Sequence, residues 1–379
     1  MWSHSHLKRI DFRVIPVILG LMLVSLLILS SQTNGEGIME SASTSFFTPA
    51  VKSQIKWFTI GSIVYALCAG FDYNKLREFA WIFYFLMIVA LIGLFFTDPI
   101  QNVRRWYKIP IINFYAQPSE YTKLIVVISV SWFLERRRAQ ASHWSTAILS
   151  GIIVGIPFLL ILKQPDLGTA LVLYPITLVM FYFGDIHPTV IKLMTGAALA
   201  AVGCILLIFL GIIPYEEIRP YATHVLKDYQ FERLNPNTHH QKASLTAIAV
   251  GGLTGTGWRK SEFSAGGWLP APHTDSVFPA FGEEFGLVGL VFLMALFYAL
   301  IYFSFQVSAV AKDHFGRLLS AGITVYLAMH ILINICMMCG FLPITGVPLI
   351  LVTYGGSSVL STMTALGILQ SIYSRRFMF

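Results

Sequence analysis

Hydrophobic and polar positions along this chain do not alternate; they fall into blocks. Phe12 to Ser31 and Leu193 to Ile213 are apolar on every face of a helix. That pattern excludes the short alternating segments of a strand barrel and predicts helices able to cross ~30 Å of hydrocarbon. Ten such segments are predicted, at 12–31, 53–71, 79–96, 118–134, 147–163, 166–184, 193–213, 276–304, 318–338 and 350–371. The first follows Lys8, Arg9 and Arg13 as a signal peptide would, but it is long and lacks a small-residue cleavage site, so a retained anchor is expected. The expected fold is an all-α polytopic membrane protein, one bundle of about ten transmembrane helices over residues 1–379.

One connection stands apart. Pro214 to Thr274, roughly sixty residues between the seventh and eighth segments, is far longer than a bundle needs to join neighbours. Residues 214–275 are therefore expected to form a large extracytoplasmic loop that carries function. Gly251, Gly252, Gly255 and Gly257 are expected to make it the mobile part of the molecule. Gly255-Thr256-Gly257 follows no strand-to-helix signal, which argues against a nucleotide loop.

Composition agrees with a membrane location: 56% of residues are hydrophobic and 12% charged, against roughly 25% charged in a soluble domain. The net charge of +7 is dispersed through loops, which points to anionic membrane lipids as partners and away from nucleic acid. Cys68, Cys204, Cys336 and Cys339 lie in or beside apolar segments without metal-ligand spacing, so no disulfide framework is expected. Short flanks rich in Lys and Arg (Lys8, Arg9, Arg13; Lys75, Arg77; Arg136 to Arg138; Lys312, Arg317; Arg375, Arg376) place both termini in the cytoplasm. The opposite face keeps Arg104, Arg105, Lys108, Lys123 and Lys163, a cation cluster suited to an anionic ligand.

Several residues at segment ends carry candidate chemistry, each with a plainer alternative. Asp275 follows Pro270-Ala271-Pro272 at the mouth of the eighth segment, where it either caps a helix or, partly desolvated, serves as a general base. Glu120 and Lys123 share a helix face behind Pro118 and form either a structural ion pair or part of a ligand pathway. Arg104 and Arg105 suit phosphate geometry or snorkel to head groups. Asp166 reads as a helix cap. Glu283 and Glu284 lie inside an apolar helix and require a partner, a proton or a water-filled cavity. Gly340 to Ser358 is an apolar stretch interrupted by prolines and glycines, either a broken helix lining a cavity or an external loop packed on the bundle.

Together these blocks resemble the SEDS family (shape, elongation, division, sporulation). The blocks are Arg104-Arg105-Trp106, Gln117-Pro118-Ser119-Glu120 with Lys123, Gln164 to Ala170, His273-Thr274-Asp275, Glu283-Glu284-Phe285-Gly286 and Pro343 to Ser358, in family order across almost the whole chain. The loop text Leu226-Lys227-Asp228-Tyr229-Gln230 with Arg233 leans toward the branch serving elongation and cell shape rather than division. The resemblance implies a peptidoglycan glycosyltransferase of the bacterial inner membrane that polymerises lipid II on the outer face. It implies Asp275 as the catalytic residue, and Glu120, Lys123, Arg104, Arg105, His273 and Glu283 as substrate-binding positions. It further implies a divalent cation (Mg or Mn) as a possible cofactor and a class B penicillin-binding protein as partner. No serine nucleophile motif with its lysine is found, so crosslinking is expected to be done elsewhere. The chain departs from the family pattern at Ile350, Thr353 and Ser276, where proline, serine and phenylalanine are usual. A lipid II flippase, with intramembrane charges and broken helices serving alternating access, and a division-type polymerase are the alternative functions.

Overall fold

A computed structural model describes residues 9–32, 46–99, 103–109, 114–222 and 231–377. The loop text 226–230 lies outside the described residues. Helices occupy all ten predicted segments: α1 (Val14–Gln32), α2 (Pro49–Gly70), α3 (Asn74–Gly93), α4 (Pro118–Arg136), α5 (Trp144–Lys163), α6 (Leu167–Phe183), α7 (Pro188–Phe209), α11 (Val277–Val310), α12 (His314–Met338) and α13 (Gly356–Ser374). Between α7 and α11 lie α8 (Tyr215–Ala222), α9 (His239–Gly251) and the short α10 (Glu262–Ala265). A small antiparallel hairpin, β1 (Tyr107–Ile109) and β2 (Phe114–Ala116), precedes α4. α1, α3, α5, α7, α11 and α12 are long and apolar enough to cross a membrane, and α6 is apolar but shorter.

Helix starts follow local chemistry. Thr48 and Asp313 accept from Val51 N (3.3 Å) and Gly316 N (2.9 Å), capping α2 and α12. Prolines open α2, α4 and α7, where a missing N–H costs nothing. α12, in the ninth predicted segment, is the buried axis of the bundle; α4, α6, α11 and α13 pack around it, while α7 leans chiefly on α6. The basic flanks meet at one end. There Arg77 pairs with Glu135 (3.0 Å) and Asp313 (3.3 Å), Arg375 reaches Asp72 (3.8 Å), and Arg376 donates to the carbonyl of Arg9 (3.2 Å).

Two helices break. α11 turns at Gly286 (φ 62°, ψ −164°), and the expected start of the last helix at 350 is delayed to Gly356, since Leu351 has a positive φ of 59° that a helix does not admit. Each backbone group freed inside an apolar bundle costs several kcal/mol unless bonded. At the α11 break the partners come from 252–257: Leu287 N donates to Gly252 O (2.9 Å), Thr256 N to Glu283 O (2.9 Å) and Gly257 N to Glu284 O (3.0 Å). Gly251 and Gly255 therefore serve close approach to α11, whereas Gly252 and Gly257 meet no neighbouring backbone and take positive φ. A Cβ on Gly251 would lie 2.0 Å from Gly282 O, and one on Gly255 2.2 Å from Glu284 O.

The buried glutamates of α11 find their partners just beyond that segment, in 261–264, and at the end of α1. Glu283 accepts from Phe263 N (2.8 Å), Ser264 N (2.9 Å) and Ser264 Oγ. Glu284 accepts from Ser261 Oγ (3.2 Å) and from Gln32 Nε2 (3.3 Å) at the end of α1. Gly286→Ala should lower the thermal midpoint in detergent by the equivalent of about 1–3 kcal/mol, since its Cβ must displace backbone. Gly151→Ala, whose Cβ would meet nothing within 4 Å, should leave the midpoint unchanged. Equal midpoints in both variants and the parent would show that 252–257 does not pack on the break.

Candidate functional site

At the end of the bundle opposite the arginine cluster, the starts of α2, α4, α6 and α13 converge with residues 271–275 and 346–348 on a cavity of about 1060 Å³. Its floor holds a buried charge cluster. Lys123, wholly inaccessible, donates from Nζ to Glu120 Oε1 (2.8 Å), lies 2.7 Å from His330 Nε2 and sits over the Tyr326 ring at 5.5 Å. The ammonium must donate, so His330 Nε2 accepts and its Nδ1 carries the hydrogen toward Pro348 O (3.3 Å). Glu120 is 3% exposed, and its second oxygen, Oε2, is buried without a partner among the described residues. Both readings of the Glu120–Lys123 pair thus hold together: it is an ion pair, and it lines a cavity.

Asp275 reaches the cavity from the turn before α11, held by its backbone. Asn334 Nδ2 on α12 donates to the carbonyls of Asp275 (3.3 Å) and Val347 (2.8 Å). Tyr354 N donates to His273 O (3.0 Å), and Thr353 Oγ1 donates to Thr274 O (3.1 Å) while accepting from Leu349 N (2.9 Å). The hydroxyl at 353 therefore staples the broken stretch to the Asp275 turn, a task serine would do equally well. Ser276 lies 2.7 Å from His240 Nε2 on α9, a polar contact phenylalanine would forfeit. Burial pushes the Asp275 carboxyl up from its ordinary range, while the charges of Arg233, Arg105 and His273 pull it down.

The predicted residues separate. Asp275, His273, Glu120, Lys123 and Arg105 line the cavity. Arg104 does not; it is exposed and donates to Phe95 O (2.9 Å). Glu283 is not among the cavity residues either, because its carboxylate is spent on the α10 backbone. Arg105 donates to the carbonyls of Gln164 (3.0 Å) and Pro165, tying the hairpin to the start of α6. Asp166 caps α6 as expected, accepting from Thr169 N (3.2 Å), and also accepts from Ser119 Oγ (2.9 Å) and Gln117 Nε2 (3.2 Å) on the cavity wall.

Lys52, Lys56 and His330 also line the cavity, and sequence reasoning missed them. Signals existed. Lys52 and Lys56 are one turn apart at the start of α2, and His330 is the one Asp, Glu, Lys, Arg or His in the ninth segment, where such residues are functional by default.

Comparison with known proteins now bears on this arrangement. The profile of the FtsW/RodA/SpoVE family, described as cell cycle protein, matches residues 12–376. The peptidoglycan glycosyltransferase MrdB of Escherichia coli strain K12 is 29% identical over 389 residues, covering 100% of this chain and 96% of that protein. The probable peptidoglycan glycosyltransferase FtsW of Geobacter sulfurreducens is 30% identical over 337 residues, 86% of this chain and 85% of its own length. Among solved structures, a chain of a peptidoglycan synthase complex that coordinates polymerization and crosslinking superposes with a TM-score of 0.75 at 22% identity, covering 98% of this chain and 99% of that one. The rod shape determining protein RodA of Thermus thermophilus gives 0.68 at 21% identity, covering 97% and 98%. With the profile spanning nearly every residue and the same bundle in the solved relatives, the chain belongs to the FtsW/RodA/SpoVE family of membrane-embedded cell cycle proteins, the SEDS family that its sequence blocks resemble.

Proposed function

We propose that this protein is a peptidoglycan glycosyltransferase that polymerises lipid II into glycan strands for cell elongation and shape. The observation that carries the proposal is Asp275: a carboxylate of raised pKa, held by its backbone, at the wall of a large polar cavity at one end of an apolar bundle. Curated relatives that bear the glycosyltransferase name across the whole chain support the same reading. All ten long helices span the inner membrane in this proposal. The arginine-rich end with both termini faces the cytoplasm, and the cavity with 214–275 faces outward. A class B penicillin-binding protein supplies crosslinking, in keeping with the fold shared with a chain of the synthase complex.

In the reaction, the 4-hydroxyl of an acceptor N-acetylglucosamine attacks the anomeric carbon of the donor muramyl sugar. The bond from that carbon to the diphosphate oxygen breaks, undecaprenyl diphosphate leaves, and Asp275 takes the hydroxyl proton. Such positioned base catalysis contributes roughly 10²- to 10⁴-fold. The unmet oxygen of Glu120 offers an acceptor to a sugar hydroxyl, and the Arg105 guanidinium sets a positive potential at the cavity wall. Among the described residues no three His, Cys, Asp or Glu side chains converge on a ready-made metal site; Asp275 and the second oxygen of Glu120 are the cavity carboxylate oxygens that would meet a Mg or Mn ion arriving with the diphosphate. No step is assigned to a metal.

Purified protein in detergent, with its cognate partner carrying an inactivated transpeptidase, should convert lipid II to glycan, whereas a flippase leaves lipid II chemically unchanged. Asp275→Asn prepared identically should give no product while keeping the parent thermal midpoint. Near-parent product from a folded Asn variant would remove Asp275 as the base.

The base acts only when ionised, so the acid limb of kcat/KM should lie above the ordinary aspartate value of 3.8. Arg105 lowers that pKa, so Arg105→Gln should move the limb to higher pH and Arg105→Lys should leave it in place. A limb that stays fixed in the Gln variant would assign the titration to another group.

A further inference from the structure

We infer that the first turn of α13, with Lys52, Lys56 and Ser358, is a cradle for the diphosphate of a polyprenyl-linked sugar; the choice of ligand rests on the polymerase reading. The cations assigned from sequence to that diphosphate are already committed. Lys123 is held between Glu120 and His330, and Arg105 donates to two backbone carbonyls. On α2 the situation is reversed. Lys52 and Lys56 line the same cavity one turn apart, and among the described residues neither pairs with a carboxylate; Lys56 meets only the Trp57 ring, at 5.8 Å.

α13 begins beside them, with Gly355 to Ser358 on the cavity wall and no side-chain cap. The first N–H groups of a helix have no intrahelical acceptor and carry its positive dipole end, which suits a phosphate. Ser358 is an independent observation. Its side chain is 8% exposed and borders the cavity, and its hydroxyl has no partner among the described residues; only its carbonyl is used, by Ser361 Oγ (3.1 Å). Neighbouring Ser357 is occupied, accepting from Gln117 N (3.2 Å) and donating to Tyr115 O (3.0 Å). Gln54 Oε1 accepts from Gly355 N (3.4 Å), which fixes the helix start against the buried side of the α2 turn whose cavity side carries both lysines. The cradle is next to the base, because Tyr354 is bonded to the backbone of His273.

The test is binding of fluorescent undecaprenyl diphosphate to the full chain in phosphatidylcholine nanodiscs, with glycan synthesis from lipid II measured on the same preparations. Gly355→Asp is the informative variant. Its Cβ meets nothing within 4 Å, a carboxylate at that position caps the helix and preserves the fold, and it repels an anion at the open N–H groups. Gly355→Asp and the double variant Lys52→Gln/Lys56→Gln should each weaken binding at least about ten-fold, a loss near 1.4 kcal/mol. Ser358→Ala should weaken it by a smaller factor, and all should keep the parent thermal midpoint. Unlabelled undecaprenyl diphosphate should displace the probe, whereas phosphatidylglycerol and inorganic pyrophosphate should do so only at much higher concentration. Parent-like affinity in Gly355→Asp, or displacement by phosphatidylglycerol as effective as by the polyprenyl diphosphate, overturns the cradle. If that happens while the parent makes glycan, the polymerase assignment stands; ten-fold binding losses in the variants of a parent that makes no glycan would retain the cradle and remove the polymerase.

Discussion

Within hydrocarbon, a main-chain amide or carbonyl without a partner costs several kcal/mol, and this site is built from chain that has left the helix. Residues 339–355 and the turn at Gly286 expose backbone that an unbroken helix would satisfy internally. Polar side chains on the intact helices meet the demand. Ser25 of α1 donates to Val352 O (2.8 Å), Gln54 of α2 donates to Thr353 O (3.4 Å), and Asn334 of α12 serves Val347 and Asp275 together. The Asp275 carboxylate is therefore positioned through carbonyl bonds that leave its own oxygens for the chemistry proposed above.

The same economy shapes the electrostatics. Burying Lys123 and Glu120 is costly for each ion, and the pair is tolerable only with good geometry and further hydrogen bonds. For the lysine, His330 supplies a hydrogen bond and the Tyr326 ring a cation–π contact. Truncating Lys123 alone would strand a buried carboxylate, so lost activity in that variant mixes lost stability with lost chemistry. By contrast, the lysines of α2 are exposed to the cavity and carry no comparable structural duty.

The bundle was legible in the sequence because a membrane leaves few options: continuous apolar runs must be helices, and each predicted segment has its helix. Charged residues at helix starts, such as Asp275, Glu120 and Lys123, were legible for the related reason that ions near hydrocarbon need a purpose. Glu283 and Arg104 carried the same signal and serve other partners, since a buried carboxylate can equally be satisfied by backbone N–H groups brought from a distant loop. The glycines misled for a similar reason. Local sequence reports conformational freedom, but close approach depends on a neighbour some thirty residues away, roughly the separation of Gly255 from Glu284. The hairpin before α4 escaped notice because three-residue strands leave no periodicity.

The two breaks differ in when their partners become available during synthesis. The segment that satisfies the Gly286 turn precedes it in the chain, so α11 can complete its own backbone bonds as soon as it is made. The Asp275 turn must wait for Asn334, Thr353 and Tyr354, which arrive with the last two helices. Assembly thus proceeds with the Asp275 turn unfixed almost to the end, and a chain cut short before Thr353 lacks two of the bonds that hold it and, under the proposed function, a positioned base.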